Sequence, residues 1–523
     1  MMTRIDKLLF GSIALVMAFV ITHGLIAQPA YTDAYYYYNA AERFASGEGL
    51  TDAYLFTYIG APDELPAPSH LYWMPFTSIA AGVGMWLFNA PGNYDAAQVP
   101  FALMLAITAG AGFWLGHKLG GTRRHAWVAG LMTLFSGFFT RFWGATDTFA
   151  PFAFSGSLAL IFIGLGATRG KWIFWLAAGI FAGLGHLTRA DGMLLMMVGY
   201  IIIVWGMIQN RRVGTWRAMS DNDVDEVKAI VFLTLGYLLM MTPWFIRNLD
   251  AIGTPLPLGG SQSMWFASYD DLFRFPPDSA PSDLTLDVLL DSRWTALSNN
   301  FFTFLAVEGM VIITPLMLIG LWKRRKDGFL TGFWIYALGL HLAMTFVFSF
   351  AGYRGGLLHS ASALIPFWMA LGVVGMDDAV DWIAARRRNW KPRTAKRVFS
   401  LGMVIMAIWL SYTIGLRGRV NERHPQLFEA ITQYVPADAR IMINDPAELY
   451  YYAGRGGVVL PNEQVDVILE IARQYDVDYF LFQGQGSLTT ELFDSFDANN
   501  LPPFLTLITA DLPSGGSLYA INH

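Results

Sequence analysis

A single aspartate stands at the head of an aromatic run: residues 31–44 read YTDAYYYYNAAERF, with Asp33 just before Tyr35, Tyr36, Tyr37 and Tyr38. A carboxylate at the mouth of a low-dielectric cavity has its pKa raised and becomes a competent general base for a hydroxyl group. The same residue type caps helices, and this stretch predicts one short helix with Thr32 or Asp33 as N-cap and Gly47 as the stop. Capping and catalysis are compatible, so spacing leaves both open. Four consecutive tyrosines cannot share one helix face; some pack while others meet lipid headgroups or a sugar ring. An aromatic belt at a membrane surface has the same composition.

The elements that must position Asp33 are membrane helices. The 523 residues are 54% hydrophobic and only 14% charged, with 18 Trp, a balance far from that of a soluble domain. Net charge is −5, and the cations fall in short clusters between apolar runs, which excludes a basic face for nucleic acid. The absence of cysteine removes disulfides, thiolate metal sites and thiol nucleophiles. The N-terminal apolar run after Arg4 and Lys7 matches a retained anchor better than a short signal core. Apolar runs of span length fall at 8–27, 97–116, 125–140, 149–167, 172–187, 192–209, 229–246, 301–322, 329–351, 357–376 and 398–416, about eleven in all.

A shorter run at 74–90 holds Pro75 and several glycines and is expected to lie in the interface. With that parity Lys118, Arg123, Arg124, Arg169, Lys171 and the clusters at 323–326 and 386–397 share the side of Arg4 and Lys7, as the positive-inside bias requires. The N-terminus is then cytoplasmic, and Asp33 and the loops 28–96 and 247–300 face outward. The fold expected is a polytopic α-helical protein of the plasma (inner) membrane: a transmembrane domain over 1–416 followed by a small extracytoplasmic α/β domain over 417–523. Short β-type runs (ARIMIND, VDYFLFQ, FLTLITA) and the helix-like PNEQVDVILEIARQY mark the latter. Nothing in it carries a catalytic pattern, and its expected role is to bind the acceptor or a partner, or to cover the cavity.

Five local strings, in order, resemble the GT-C class of polytopic glycosyltransferases that use polyprenyl-phosphate sugars. They are TDAYYYYNAAERFASGEGL at 32–50, PSHLYWMPFTSIAAG at 68–82, HLTRADGMLL at 186–195, PWFIRNLDAIGTPLP at 243–257 and RGGLLHSASALIPFWMALG at 354–372. The pattern is similar to bacterial relatives of the protein O-mannosyltransferase and lipid A aminoarabinose transferase group. The resemblance implies that the early acid of the first outer loop, here Asp33, is the catalytic base or its near neighbour. Many relatives carry two acids close together, whereas Ala34 follows Asp33. One carboxylate is a poor divalent site, so a divalent metal stays open.

The implied reaction is an inverting displacement in which Asp33 takes the acceptor's proton and polyprenyl phosphate departs, to a hydroxyl on protein, glycan or lipid. The leaving phosphate needs fixed cationic or hydrogen-bonding groups. Outer-side candidates are His70, Arg141, Arg189, Arg247, Arg354 and His359. Arg247 and Arg354 are preferred because they match the family strings, while Arg189 is expected to pair with Asp191. Tyr36 and Tyr72 are the aromatic candidates for substrate contact. Asp147 and Asp191, at outer ends of spans, are read as helix caps or as lining for acceptor entry. The strings DNDVDE at 221–226 and GQGS at 484–487 read as a solvated loop and a tight turn. The alternative is a lipid or solute transporter, for which Glu308 and His341 inside apolar runs are the isolated polar groups; no half-to-half echo supports it.

Overall fold

The computed structural model describes residues 2–60, 62–213, 225–257, 259–262, 264–266, 268–277, 285–417, 425–483 and 490–523. DNDVDE falls on the undescribed residues in its first four positions, and GQGS lies wholly outside the described residues. Helix α1 (Arg4–Leu25) starts on a capping box in which Thr3 and Asp6 exchange side-chain and backbone hydrogen bonds. Among the described residues, 8 helices are long and apolar enough to cross a membrane. They include α1, α4 (Tyr94–Gly120), α6 (Phe149–Arg169) and α9 (Glu226–Ile252), and the run from Ser349 to Ala384.

The departures from the expected eleven have local causes. The run at 125–140 yields α5 (Arg123–Leu134), which ends before Gly137 at φ 63° and a 3-10 turn over Gly137–Arg141. The run at 301–322 is not one helix. A wide turn at Thr303–Glu308 and positive φ at Met310 (44°) and Val311 (64°) separate helix Leu286–Phe302 from helix Thr314–Arg324. The doubtful run at 74–90 forms α3 (Phe76–Leu87), 12 residues long, or about 18 Å against the roughly 30 Å of a hydrocarbon core. Helix α7 (Trp172–Thr188) is also short, at 17 residues.

Small residues bring the helices together where no oil–water difference can. Gly179 of α7 faces Gly236 of α9 so closely that a β-carbon on Gly179 would lie 2.0 Å from the Leu233 carbonyl oxygen. Helix Thr314–Arg324 meets helix Ile365–Ala384 in the same way: a β-carbon on Gly375 would lie 1.9 Å from the Leu316 oxygen. The apolar core inside this bundle runs from Phe10 through Phe152 to Ala407.

Beyond Arg417 the chain supplies five strands of a six-stranded sheet. Strands β1 (Thr51–Asp52) and β3 (Ala67–Pro68) make a separate antiparallel pair in the loop 28–96. The large sheet has the order β2-β5-β4-β6-β8-β7, where β2 is Tyr54–Leu55, β4 Ile441–Ile443, β5 Gly457–Val459, β6 Tyr479–Gln483, β7 Leu505–Thr509 and β8 Gly516–Ile521. Its edge strand β2 comes from the loop between the first two spans, paired parallel to β5 with Tyr54 opposite Gly457. Helices Pro446–Ala453 and Val467–Tyr475 connect the parallel strands β4, β5 and β6. The buried Tyr35, Tyr36 and Tyr37 share one hydrophobic cluster with Val458, Phe480 and Tyr519 of this sheet.

Candidate active site

Helix α2 (Thr32–Ala45) carries Asp33 in its first turn. The expected N-cap is displaced by one residue, since Tyr31 is the N-cap and makes no side-chain cap bond, whereas Gly47 at φ 88° stops the helix as expected, its N–H and that of Glu48 closing on the Phe44 and Arg43 carbonyls. Thr32 instead donates its hydroxyl to Asp445 Oδ2 at 2.5 Å. Asp33 is half-buried. Its carboxyl is pushed up to about 8, first by burial, then by the charge of Asp147, against the pull of Arg189.

Asp147 lies fully buried at the approach to α6. Its Oδ1 accepts the Thr148 backbone N–H at 2.5 Å and its Oδ2 accepts the Tyr31 hydroxyl at 2.6 Å. His359, in the turn Leu357–Ala361, places Nδ1 2.8 Å from Thr148 Oγ1 and 3.5 Å from Asp147 Oδ1, with its ring stacked on Phe149 at 4.0 Å between centroids. One ligand atom each from Asp33, Asp147 and His359 lie within 4.8 Å of one another. Two carboxylates and an imidazole are a donor set that suits a borderline or hard divalent cation. The second acid missing next to Asp33 in sequence is therefore supplied from 114 positions along the chain, counting 33 to 147. The signal was present in GATDTFAP, an acid at the same expected end of a span, but a helix-capping role accounts for that signal equally well.

Arg189, the C-cap residue of α7, pairs with Asp191 at 2.9 Å, as its spacing suggested. It also donates to Ser360 Oγ at 2.7 Å, beside His359. Ser360 in turn donates to Asp191. Pairing does not remove Arg189 from the cluster: it is the cation with the largest effect on Asp33. Arg247 lies elsewhere in the loop network, donating to the Leu50 carbonyl at 2.9 Å and lying over Trp244 at 4.8 Å. Its charge acts on Asp52 and His70. Arg354 is exposed in the turn Gly352–Gly356, and Arg141 is exposed beside Phe142.

His70 is completely buried at φ 63°, with its ring nitrogens 2.7 Å from Ser69 Oγ and 3.0 Å from Ser78 Oγ. Burial pushes it down to about 3, so it is a neutral brace for the first turn of α3. Tyr36 is buried too; it donates to Asp52 at 2.8 Å and accepts the His70 N–H at 2.7 Å, which commits its hydroxyl to the fold. Tyr72 is half-buried and close enough to Asp33 for that charge, after burial, to help push its phenol up to about 12. Glu308 and His341 are not isolated: Glu308 accepts from Trp368 Nε1 at 2.7 Å and lies 2.9 Å from His341 Nε2.

No family model matches the sequence, and no curated protein matches it. Solved structures do. The chain is similar to ArnT from Cupriavidus metallidurans bound to undecaprenyl phosphate, at 15% identity and TM-score 0.58, covering 98% of this chain and 97% of that one. It is similar to the Archaeoglobus fulgidus oligosaccharyltransferase, at 15% identity and TM-score 0.53, covering 91% and 69%. A further structure of that archaeal enzyme carries dolichol-phosphate and an inhibitory peptide, and another carries Zn and sulfate. The fold is that of the GT-C membrane glycosyltransferases.

Proposed function

We propose that the protein is a membrane glycosyltransferase that moves a sugar from a polyprenyl-phosphate carrier to a hydroxyl acceptor on the extracytoplasmic face, with inversion. The observation that carries this reading is the convergence of Asp33, Asp147, His359 and Arg189 at one end of a GT-C fold. Asp33 takes the proton of the acceptor hydroxyl as its oxygen bonds to the anomeric carbon. The bond from that carbon to the phosphate oxygen breaks, and polyprenyl phosphate leaves with the electron pair. Arg189, anchored by Asp191 and Ser360, offers fixed positive charge to the departing phosphate. A divalent cation held by Asp33, Asp147 and His359 would add to that charge when bound. Tyr72, near enough to Asp33 to feel its charge, suits a sugar face.

Sidedness is supported by charge: Arg123, Arg124, Arg324 and Lys396 gather against Asp6, Asp377 and Asp378 around the C-terminal end of helix Ile365–Ala384. His359 precedes the other end of that helix. The donor supplies its own activated phosphate bond, so no nucleotide is needed outside. The test is purified protein in proteoliposomes given a panel of polyprenyl-phosphate sugars. Release of polyprenyl phosphate with one of them is expected, together with loss of release but retained donor binding in Asp33→Asn. Equal release by both would remove Asp33 from the base role.

A further inference from the structure

Helix α2 lacks a side-chain cap of its own, and what grips its first turn comes from the far end of the sequence. Asp445 follows β4 and opens the helix Pro446–Ala453, where its Oδ1 accepts the Glu448 N–H at 3.0 Å. Its Oδ2 accepts the hydroxyl of Thr32, the residue before Asp33. One carboxylate therefore caps its own helix and holds the head of another. The contacts continue in step along α2. Asn39 donates to the Ala447 carbonyl at 2.8 Å, the Tyr35 hydroxyl lies 3.1 Å from that of Tyr452, and Arg43 donates to the Tyr450 hydroxyl at 3.2 Å. Positions 32, 35, 39 and 43 form one stripe at helical spacing. Asp33, one residue round from that stripe, is aimed at Asp147 and Arg189. The pairing of β2 with β5 adds a backbone tie between the same two regions.

We infer that Asp445 is a positioning residue for Asp33: through Thr32 it fixes the rotation and height of the first turn of α2, which makes the C-terminal domain a working part of the active site. The inference rests on the base role proposed for Asp33. A general base displaced by about 1 Å loses on the order of 10²-fold in rate, so the effect belongs in kcat and not in donor binding.

The test is turnover of the full-length reconstituted protein at saturating donor, with the dissociation constant for polyprenyl phosphate measured alongside. Thr32→Val and Asp445→Ala are each expected to lower kcat by about 10- to 100-fold with donor affinity held. The double variant is expected to be no slower than the slower single, because both remove one link. Asp445→Asn, whose amide can donate to Thr32 while its oxygen caps Glu448, is expected within about threefold of wild type. Thr32→Val turning over at the wild-type rate, losses that multiply in the double variant, or an Asp445→Asn enzyme as slow as Asp445→Ala would overturn the inference. Thr32→Val leaves the C-terminal domain untouched and carries the test if Asp445→Ala does not fold. An active Asp33→Asn would defeat the base role itself, whereas an inactive Asp33→Asn beside a normal Thr32→Val defeats only the positioning role.

Discussion

The two ends of the membrane body treat charge in opposite ways. At one end acids meet cations in pairs: Asp6 with Arg123 at 2.7 Å, Asp378 with Arg324 at 2.7 Å, Asp381 with Lys396 at 2.7 Å, and Asp377 with Arg124. At the other end Asp33 and Asp147 share the influence of Arg189, which already pairs with Asp191. Matched pairs at a membrane surface hold helices in register and add little else. Buried acids in excess of base cost stability, and such imbalance is where proton transfer or cation binding is found. Under the proposed function the difference separates a structural end from a chemical one.

Substitutions sharpen that contrast in descending order. Arg189→Gln is expected to lower sugar transfer by about 10²–10³-fold, the cost of one fixed donor at a developing charge; Arg354→Gln, exposed in its turn, is expected to cost far less, and the steady-state rates of the two variants check it. Asp147→Asn is expected to weaken Mn²⁺ binding to the purified protein by more than about tenfold, read by electron paramagnetic resonance. Unchanged affinity would place the cation elsewhere.

A third difference is thermal. Because the folded-state pKa of Asp33 is raised from 3.8 to about 8, its contribution to stability is complete below the unfolded value and is lost as pH rises toward the folded one. Asp33→Asn should therefore melt with wild type near pH 4 and above it by a few degrees at pH 8. A melting-temperature series in chelator across that window measures the gap. The smallest effect belongs to the paired end: Lys396→Gln is expected to change stability by less than about 1 kcal/mol and leave transfer unaltered.

Composition and apolar runs were enough to make the chain a polytopic membrane protein, since lipid imposes helices on any spanning segment. They did not resolve the break in 301–322 although Glu308, Gly309 and Pro315 lie in that run; the backbone leaves the α-helix in the wide turn Thr303–Glu308 and again at Met310 and Val311. Asp33 stood out as an acid heading an aromatic run, and the resemblance to GT-C enzymes, not its spacing, implied the base role proposed for it. Its partners were not legible as partners: Asp147 looked like a cap, His359 like one of six outer cations, and Arg189 like half of a local pair. Arg189 does pair with Asp191, but Thr148 rather than Asp147 is the N-cap of α6 and His359 is stacked on Phe149; the structure adds that the three groups lie near Asp33. Asp445 was missed outright because Asn-Asp-Pro is an ordinary helix start. The preference for Arg247 rested on a string match and on the fit of arginine to phosphate; in the structure its side chain donates to Leu50 and Asn248 and lies over Trp244.

The central claim is that Asp33 accepts the proton of the attacking hydroxyl. The most direct measurement is single-turnover release of sugar from a saturating polyprenyl-phosphate donor by Asp33→Asn beside wild type in the same vesicles. A loss of about 10²–10⁴-fold with unchanged donor affinity is expected; an Asn variant that releases sugar at the wild-type rate would contradict it.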